Sequence, residues 1–262
     1  MQALTATRSF RRPFTWSGVF AMMLLLFFID GQYVAERVPH NQWIANAVMA
    51  VYFMLIYRDA PLRIKRLMVY GIFVGTAGEV IFSLFVGMYE YRLENVPLYV
   101  PPGHAILYAC VYYFVREPWV LRNQKWLIPS LIGVGLGYSA LWLVTRNDVF
   151  GAVCTVAFGY FLWRHPSSRL FFAAMFLYVA FLELAGTGFG CWYWHQDLVG
   201  RFSWMPCANP PAGCAVFYFG FDAGCLDIYA LRHRNVSQRY ARYRDYLAGR
   251  KAKASEQGLV PA

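Results

Sequence analysis

Residues 18–29 read GVFAMMLLLFFI, and residues 127–144 read LIPSLIGVGLGYSALWLV. Uncharged runs of this kind approach the roughly 20 residues that an α-helix needs to cross a bilayer. Backbone buried in hydrocarbon finds no water, so such a run must satisfy its own N–H and C=O groups as a helix. Hydropathy places eight apolar segments, at about 15–30, 41–57, 67–88, 102–116, 125–144, 149–163, 170–190 and 210–231. At 59% hydrophobic and 15% charged, the chain lies outside the range of ordinary soluble domains. The expected fold class is an all-α integral membrane protein with about eight transmembrane helices. Arg11-Arg12 imitate a twin-arginine signal, but no small-residue cleavage site follows, so the first apolar block is read as a retained helix.

The basic residues give the orientation. Twenty of the 24 Lys and Arg alternate onto one side: Arg8, Arg11 and Arg12; Arg58, Arg63, Lys65 and Arg66; Arg116, Arg122 and Lys125; Arg164 and Arg169; and the tail from Arg232 to Lys253. The other side holds Arg37, Arg92, Arg146 and Arg201. The positive-inside rule then puts both termini in the cytoplasm of a bacterial inner (plasma) membrane. The net charge of +10 thus sits in short loops and a tail, which argues for membrane lipid as a partner and against nucleic acid. In the tail, Val236, Tyr240, Tyr243 and Leu247 fall at helical spacing among arginines, the pattern of an amphipathic helix on an anionic leaflet. The Asn235-Val236-Ser237 sequon lies on the cytoplasmic side and is set aside.

The two halves can be laid over each other. YRDAPLRIKRLMVYGIFVGTAGE (57–79) parallels WRHPSSRLFFAAMFLYVAFLE (163–183), each ending on a glutamate inside an apolar segment. Ten residues later come Tyr89 and Tyr193, then Pro101-Pro102 and Pro210-Pro211, then GHAILY (103–108) and GCAVFY (213–218). This reads as two parallel four-helix repeats, with sites expected between them. The organisation is 1–14, a cytoplasmic segment; 15–116, the first repeat; 117–124, a linker; 125–231, the second repeat; and 232–262, the basic tail.

Glu79 and Glu183 are the sharpest chemical signal. Each lies roughly 10–14 Å from the outer end of its segment at 1.5 Å per residue. A carboxylate at such depth costs on the order of 3 kcal/mol unless it is paired, protonated or hydrated. Asp222, near the middle of the last segment, is a third candidate, and the three read as an acid/base or ion-binding cluster. Pro101-Pro102 suit a helix start, which puts His104 in the first turn, where the helix dipole favours a neutral ring. Asn209, before its own double proline, reads as an N-cap and is also a candidate substrate-binding residue. Tyr89, Tyr91, Tyr99, Trp192, Tyr193, Trp194 and Trp204 fit an interfacial belt or the roof of a site, in which Tyr89, Tyr91, Tyr193 and Trp194 would bind a lipophilic small molecule. Cys191 and Cys207 share one outer loop, where oxidation is open to them. The six cysteines form no CxxC or zinc spacing, so no metal set is read from them; a neutral His104 could accept a proton or bind a metal, and the cofactor is left open. Gly71/Gly75, Gly133/Gly137 and Gly186/Gly190 fit close helix packing.

The order Glu79, then Gly87-Met88-Tyr89-Glu90-Tyr91, then Val96-Pro97-Leu98 resembles integral-membrane carotenoid hydratase-like proteins. The resemblance implies a lyase that adds water to an isoprenoid C=C bond within the bilayer. It implies a proton donor to the alkene and a base for the water, roles that suit Glu79 and Glu183 with Asp222 and His104 in support. Two other classes stay open: a proton- or cation-coupled carrier, and a non-catalytic subunit or assembly factor with a protein partner.

Overall fold

Each of the eight apolar segments coincides with a helix in the computed structural model. The structure describes residues 16–232; both chain ends, and the side chains at 16, 221–227 and 229–230, lie outside the described residues. The helices are α1 (Trp16–Asp30), the one-turn α2 (Gln32–Ala35), α3 (Asn41–Asp59), α4 (Leu62–Glu79), α5 (Val100–Phe114), α6 (Pro118–Arg146), α7 (Val149–Arg164), α8 (Arg169–Gly188) and α9 (Ala215–Arg232). α4 continues into a π-helical turn, Val80–Phe85. Among the described residues three helices are long and apolar enough to cross a membrane: Leu62–Phe85, Pro118–Arg146 and Pro166–Gly188. Their outer faces are apolar as well, with Val144 84% and Phe85 82% exposed, surface that water would not favour and lipid accepts. The amphipathic tail, Asp222's side chain and the thiol of Cys225 fall outside the described residues.

Local chemistry explains several helix ends. Pro101 and Pro102 occupy the first turn of α5, where a missing N–H costs nothing. Asp148 caps α7 by accepting from Gly151 N at 3.1 Å. Asn147 closes α6 in the left-handed region, at φ 52°. Pro210-Pro211 do not start α9, which begins at Ala215 after a turn.

Packing follows the small residues, with one change of register. A Cβ on Gly71 would stand 3.4 Å from Ala105 Cβ, and one on Gly75 3.3 Å from His104 Cδ2, so these glycines seat α5 directly on α4. In α6 the expected pair Gly133/Gly137 faces nothing within 4 Å among the described residues; it is Gly135 that lies under the Phe176 ring of α8. Two residues turn a helix by about 200°, so the neighbour and not the glycine spacing chose the face.

The fold is mostly helical, as expected, and among the described residues four short strands join the helices. β1 (Tyr89–Tyr91) pairs antiparallel with β2 (Trp192–Trp194), setting Tyr89 against Trp194, Glu90 against Tyr193 and Tyr91 against Trp192. β3 (Asp197–Leu198) pairs with β4 (Phe202–Pro206). Strands of two to five residues carry no legible alternation, and β1 finds its partner about a hundred residues away. The connections at this end of the helices are bonded to one another. Gln32 N donates to Phe189 O (2.9 Å), Arg92 N to Cys191 O (2.9 Å) and Trp142 Nε1 to Pro210 O (3.1 Å). Asp148, fully buried, also accepts from Ala208 N (3.0 Å) and Ala212 N (2.7 Å).

Candidate active site

Glu79 is the last residue of α4 and is buried. Its Oε2 accepts from Tyr89 OH at 2.7 Å and Tyr91 OH at 2.8 Å, and its Oε1 lies 2.7 Å from His104 Nε2. Strand alternation aims both tyrosines the same way, since residues two apart share a face. With Glu79 as the carboxylate, the imidazole donates from Nε2 and forms a charge-assisted pair. Burial first, and the Glu79 charge second, push both phenols well above the ordinary tyrosine range, so they remain donors. Packing at Gly75 fixes the imidazole from below, and the Tyr218 ring lies 4.9 Å from it, tilted by 43°.

Glu183, in α8, is equally buried but is held by indoles. Trp192 Nε1 donates to its Oε2 at 2.9 Å and Trp194 Nε1 to the same oxygen at 3.0 Å. Indole N–H only donates, so Oε2 accepts twice. Among the described residues no donor reaches Oε1, which is left to the cavity that Glu183 lines. Gly186, one turn beyond Glu183, makes this possible: the Trp192 indole lies where a side chain at 186 would be.

Both carboxylates line one cavity. Phe82, Tyr89, Tyr91, Trp192, Trp194, Phe217 and Tyr218 supply its ring walls, and Met23, Phe27, Met49, Leu107 and Leu182 its apolar remainder. Among the described residues His104 is the one basic side chain in the lining, and no Lys or Arg joins it. Among the described residues no three His, Cys, Asp or Glu side chains gather as metal ligands would. The chemical character is that of an apolar chamber with two acid/base groups and abundant π faces. Comparison with protein-family models, curated proteins and solved structures finds no match for the chain.

The structure brings Glu79, Glu183, His104, Tyr89, Tyr91 and Trp194 together in this cavity. Tyr193 lies apart from it. It points to the opposite face of β2, where its hydroxyl donates to Glu90, and Glu90 also lies 3.2 Å from His195. Asn209 is not an N-cap, because α9 starts six residues later. Its Oδ1 accepts from Trp194 N at 2.9 Å and so holds β2 in place. Cys191 and Cys207 are buried free thiols, bonded to Phe27 O (3.2 Å) and Ala208 O (3.4 Å) respectively.

Tyr99 and Trp192, two more of the aromatics expected as a roof, also line the cavity, whereas sequence reasoning missed Tyr218. A signal for Trp192 exists: Gly87-Met88-Tyr89-Glu90-Tyr91 and Gly190-Cys191-Trp192-Tyr193-Trp194 share the pattern Gly-x-aromatic-x-aromatic. It also missed a buried support behind the cavity. Arg92 Nη2 donates to Asp30 Oδ1 (2.9 Å) and to Asn41 Oδ1 (3.0 Å), and Tyr99 OH donates to Asp30 Oδ2 (2.8 Å). Tyr99 lines the cavity itself, so this cluster ties α1, α3 and the start of α5 to the cavity wall. A buried pair of this kind adds little net stability but is costly to break from one side.

Proposed function

We propose that this chain is a multi-pass enzyme of a bacterial inner membrane, acting on a lipophilic alkene of the isoprenoid class by acid/base addition of water. The observation that carries the reading is the unequal satisfaction of two buried carboxylates on one ring-walled cavity. Glu79 is surrounded by three hydrogen-bonding groups and is suited to receive a proton through its His104 pair. Glu183 has one oxygen left toward the cavity, so a proton carried there has substrate or water as its next acceptor. In the reaction, Glu183 gives its proton to one alkene carbon and the other becomes a tertiary carbocation. Water adds to that carbon, and the surplus proton passes to the Glu79–His104 pair. Return of a proton to Glu183 through water closes the cycle. Facing rings stabilise the cation, each by roughly 0.5–2 kcal/mol.

The reading includes eight crossings with both termini in the cytoplasm, which the 20-to-4 division of basic residues supports. Hydrogen bonds join the connections assigned to the outer side, which also fits. It further includes two parallel repeats. Gly87 and Gly190, at φ +69° and +71°, precede the two Gly-x-aromatic-x-aromatic strands, 103 residues apart, whereas Glu79 and Glu183 are 104 apart. The single-residue difference coincides with the π turn Val80–Phe85, which adds one residue to the first copy alone.

The test is turnover in proteoliposomes of an acyclic isoprenoid polyene with a terminal trisubstituted double bond, read by mass spectrometry as a gain of one water. Wild type converts it, and Glu79→Gln and Glu183→Gln each lose at least about a hundredfold, the scale of a lost acid or base. Full activity in both variants refutes the assignment. One observation favours a second reading, a proton-coupled carrier: both ionisable groups lie in one cavity between the halves. Accumulation of unaltered substrate driven by a pH gradient identifies a carrier.

A further inference from the structure

We infer that the cavity between Glu79 and Glu183 binds a lipophilic organic cation, an ammonium centre with methyl or alkyl substituents on an apolar tail. This deepens the proposed function and rests on it for the site, though not for the reaction. Four features point to it. The cavity holds two carboxylic side chains against one imidazole, and that imidazole is already engaged by Glu79. Among the described residues no lysine or arginine enters the lining, so His104 is the one basic side chain that shares the cavity with Glu183. Glu183 is 5% exposed and lines the cavity, with both indole bonds on Oε2 and, among the described residues, none on Oε1.

The fourth feature is the ring walls. Tyr89 and Trp194 meet at 4.8 Å, Phe82 and Phe217 at 4.9 Å, and His104 and Tyr218 at 4.9 Å. Ring faces are electronegative, and a cage of them around a carboxylate recognises alkylated ammonium groups better than hydrated small cations. The methionine and leucine remainder accepts the tail. A carbocation formed by proton transfer from Glu183 has the same charge and shape, so a stable ammonium mimics that state.

The experiment uses the full chain in zwitterionic lipid nanodiscs, with hexyltrimethylammonium and its uncharged isostere 2,2-dimethyloctane as probes. Binding is followed by calorimetry and tryptophan fluorescence, with empty nanodiscs subtracted. Wild type binds hexyltrimethylammonium saturably, and Glu183→Gln weakens it at least about tenfold, as loss of one charge-assisted contact does. The isostere binds both alike. Phe217→Leu keeps the apolar volume and removes one ring face, and it weakens the cation about three- to tenfold; it decides the matter should Glu183→Gln fail to fold. No saturable cation binding, or wild-type cation affinity in the folded variants, overturns the inference. Alkene hydration without cation binding sinks this inference and leaves the reaction; cation binding without hydration does the reverse.

Discussion

Gly186→Ala is the most discriminating perturbation the structure offers. The Cβ of an alanine would stand inside the benzo ring of Trp192, against its Cη2, Cζ2 and Cζ3 atoms. Backbone in α8 has no room to yield, because Cys191 N donates back to Gly186 O at 2.9 Å. The indole must therefore swing away, and its 2.9 Å bond to Glu183 is lost. Overpacking costs about 1–3 kcal/mol. An interhelical polar contact in a membrane protein adds roughly 0.6–1.7 kcal/mol. The expected loss is about 2–4 kcal/mol, from a change that elsewhere in a helix stabilises by up to ~1 kcal/mol. The assay is reversible unfolding in detergent by intrinsic fluorescence, run as a double-mutant cycle with Trp192→Phe. A phenyl ring withdraws the benzo atoms from Gly186, so the double variant recovers part of the loss, with a coupling of at least about 1 kcal/mol. Wild-type stability of Gly186→Ala, or strict additivity in the cycle, refutes the placement of Trp192 and with it the account of Glu183.

Other consequences follow from buried groups around the site. Asp148→Ala leaves Gly151 N, Ala208 N and Ala212 N without their acceptor and costs about 3 kcal/mol or more; Asp148→Asn, which keeps one oxygen, loses less, and limited proteolysis in the 206–212 segment separates the two. Cys191 and Cys207, whose thiols burial raises above the usual range, resist maleimide at pH 8 in the native protein and react after denaturation, followed by intact mass. Burial and Glu79 raise the Tyr89 and Tyr91 phenols, so the stability they contribute is whole below the ordinary phenol pKa of about 10 and falls as pH rises beyond it; Tyr89→Phe with Tyr91→Phe flattens that alkaline slope in pH-dependent unfolding.

Much of the site was legible because the medium makes polarity conspicuous. Glu79, Glu183 and His104 stand out in apolar text, and desolvation gives each a reason to find a partner. Their partners were less legible. Tyr193 resembles Tyr89 in spacing, yet the pleat turns it outward and hands Glu183 to Trp192 and Trp194. Asn209 has the composition of a helix cap but serves Trp194 N, because α9 starts later than its prolines suggest. Asp30 and Arg92, 62 residues apart, carried no shared sequence signal at all.

The sequence by itself determined where eight apolar helices fall and that two of them carry a glutamate. Those follow from local run length and the cost of unsatisfied backbone in an apolar medium, which need no knowledge of neighbours. Tertiary structure alone decided which aromatics meet which carboxylate and which glycines carry a helix contact. It also decided that Glu79 is saturated while Glu183 keeps an oxygen toward the cavity. Those outcomes depend on a strand pairing of three residues across about a hundred. The direction of a side chain there is set by register, and register is a property of the assembled pair.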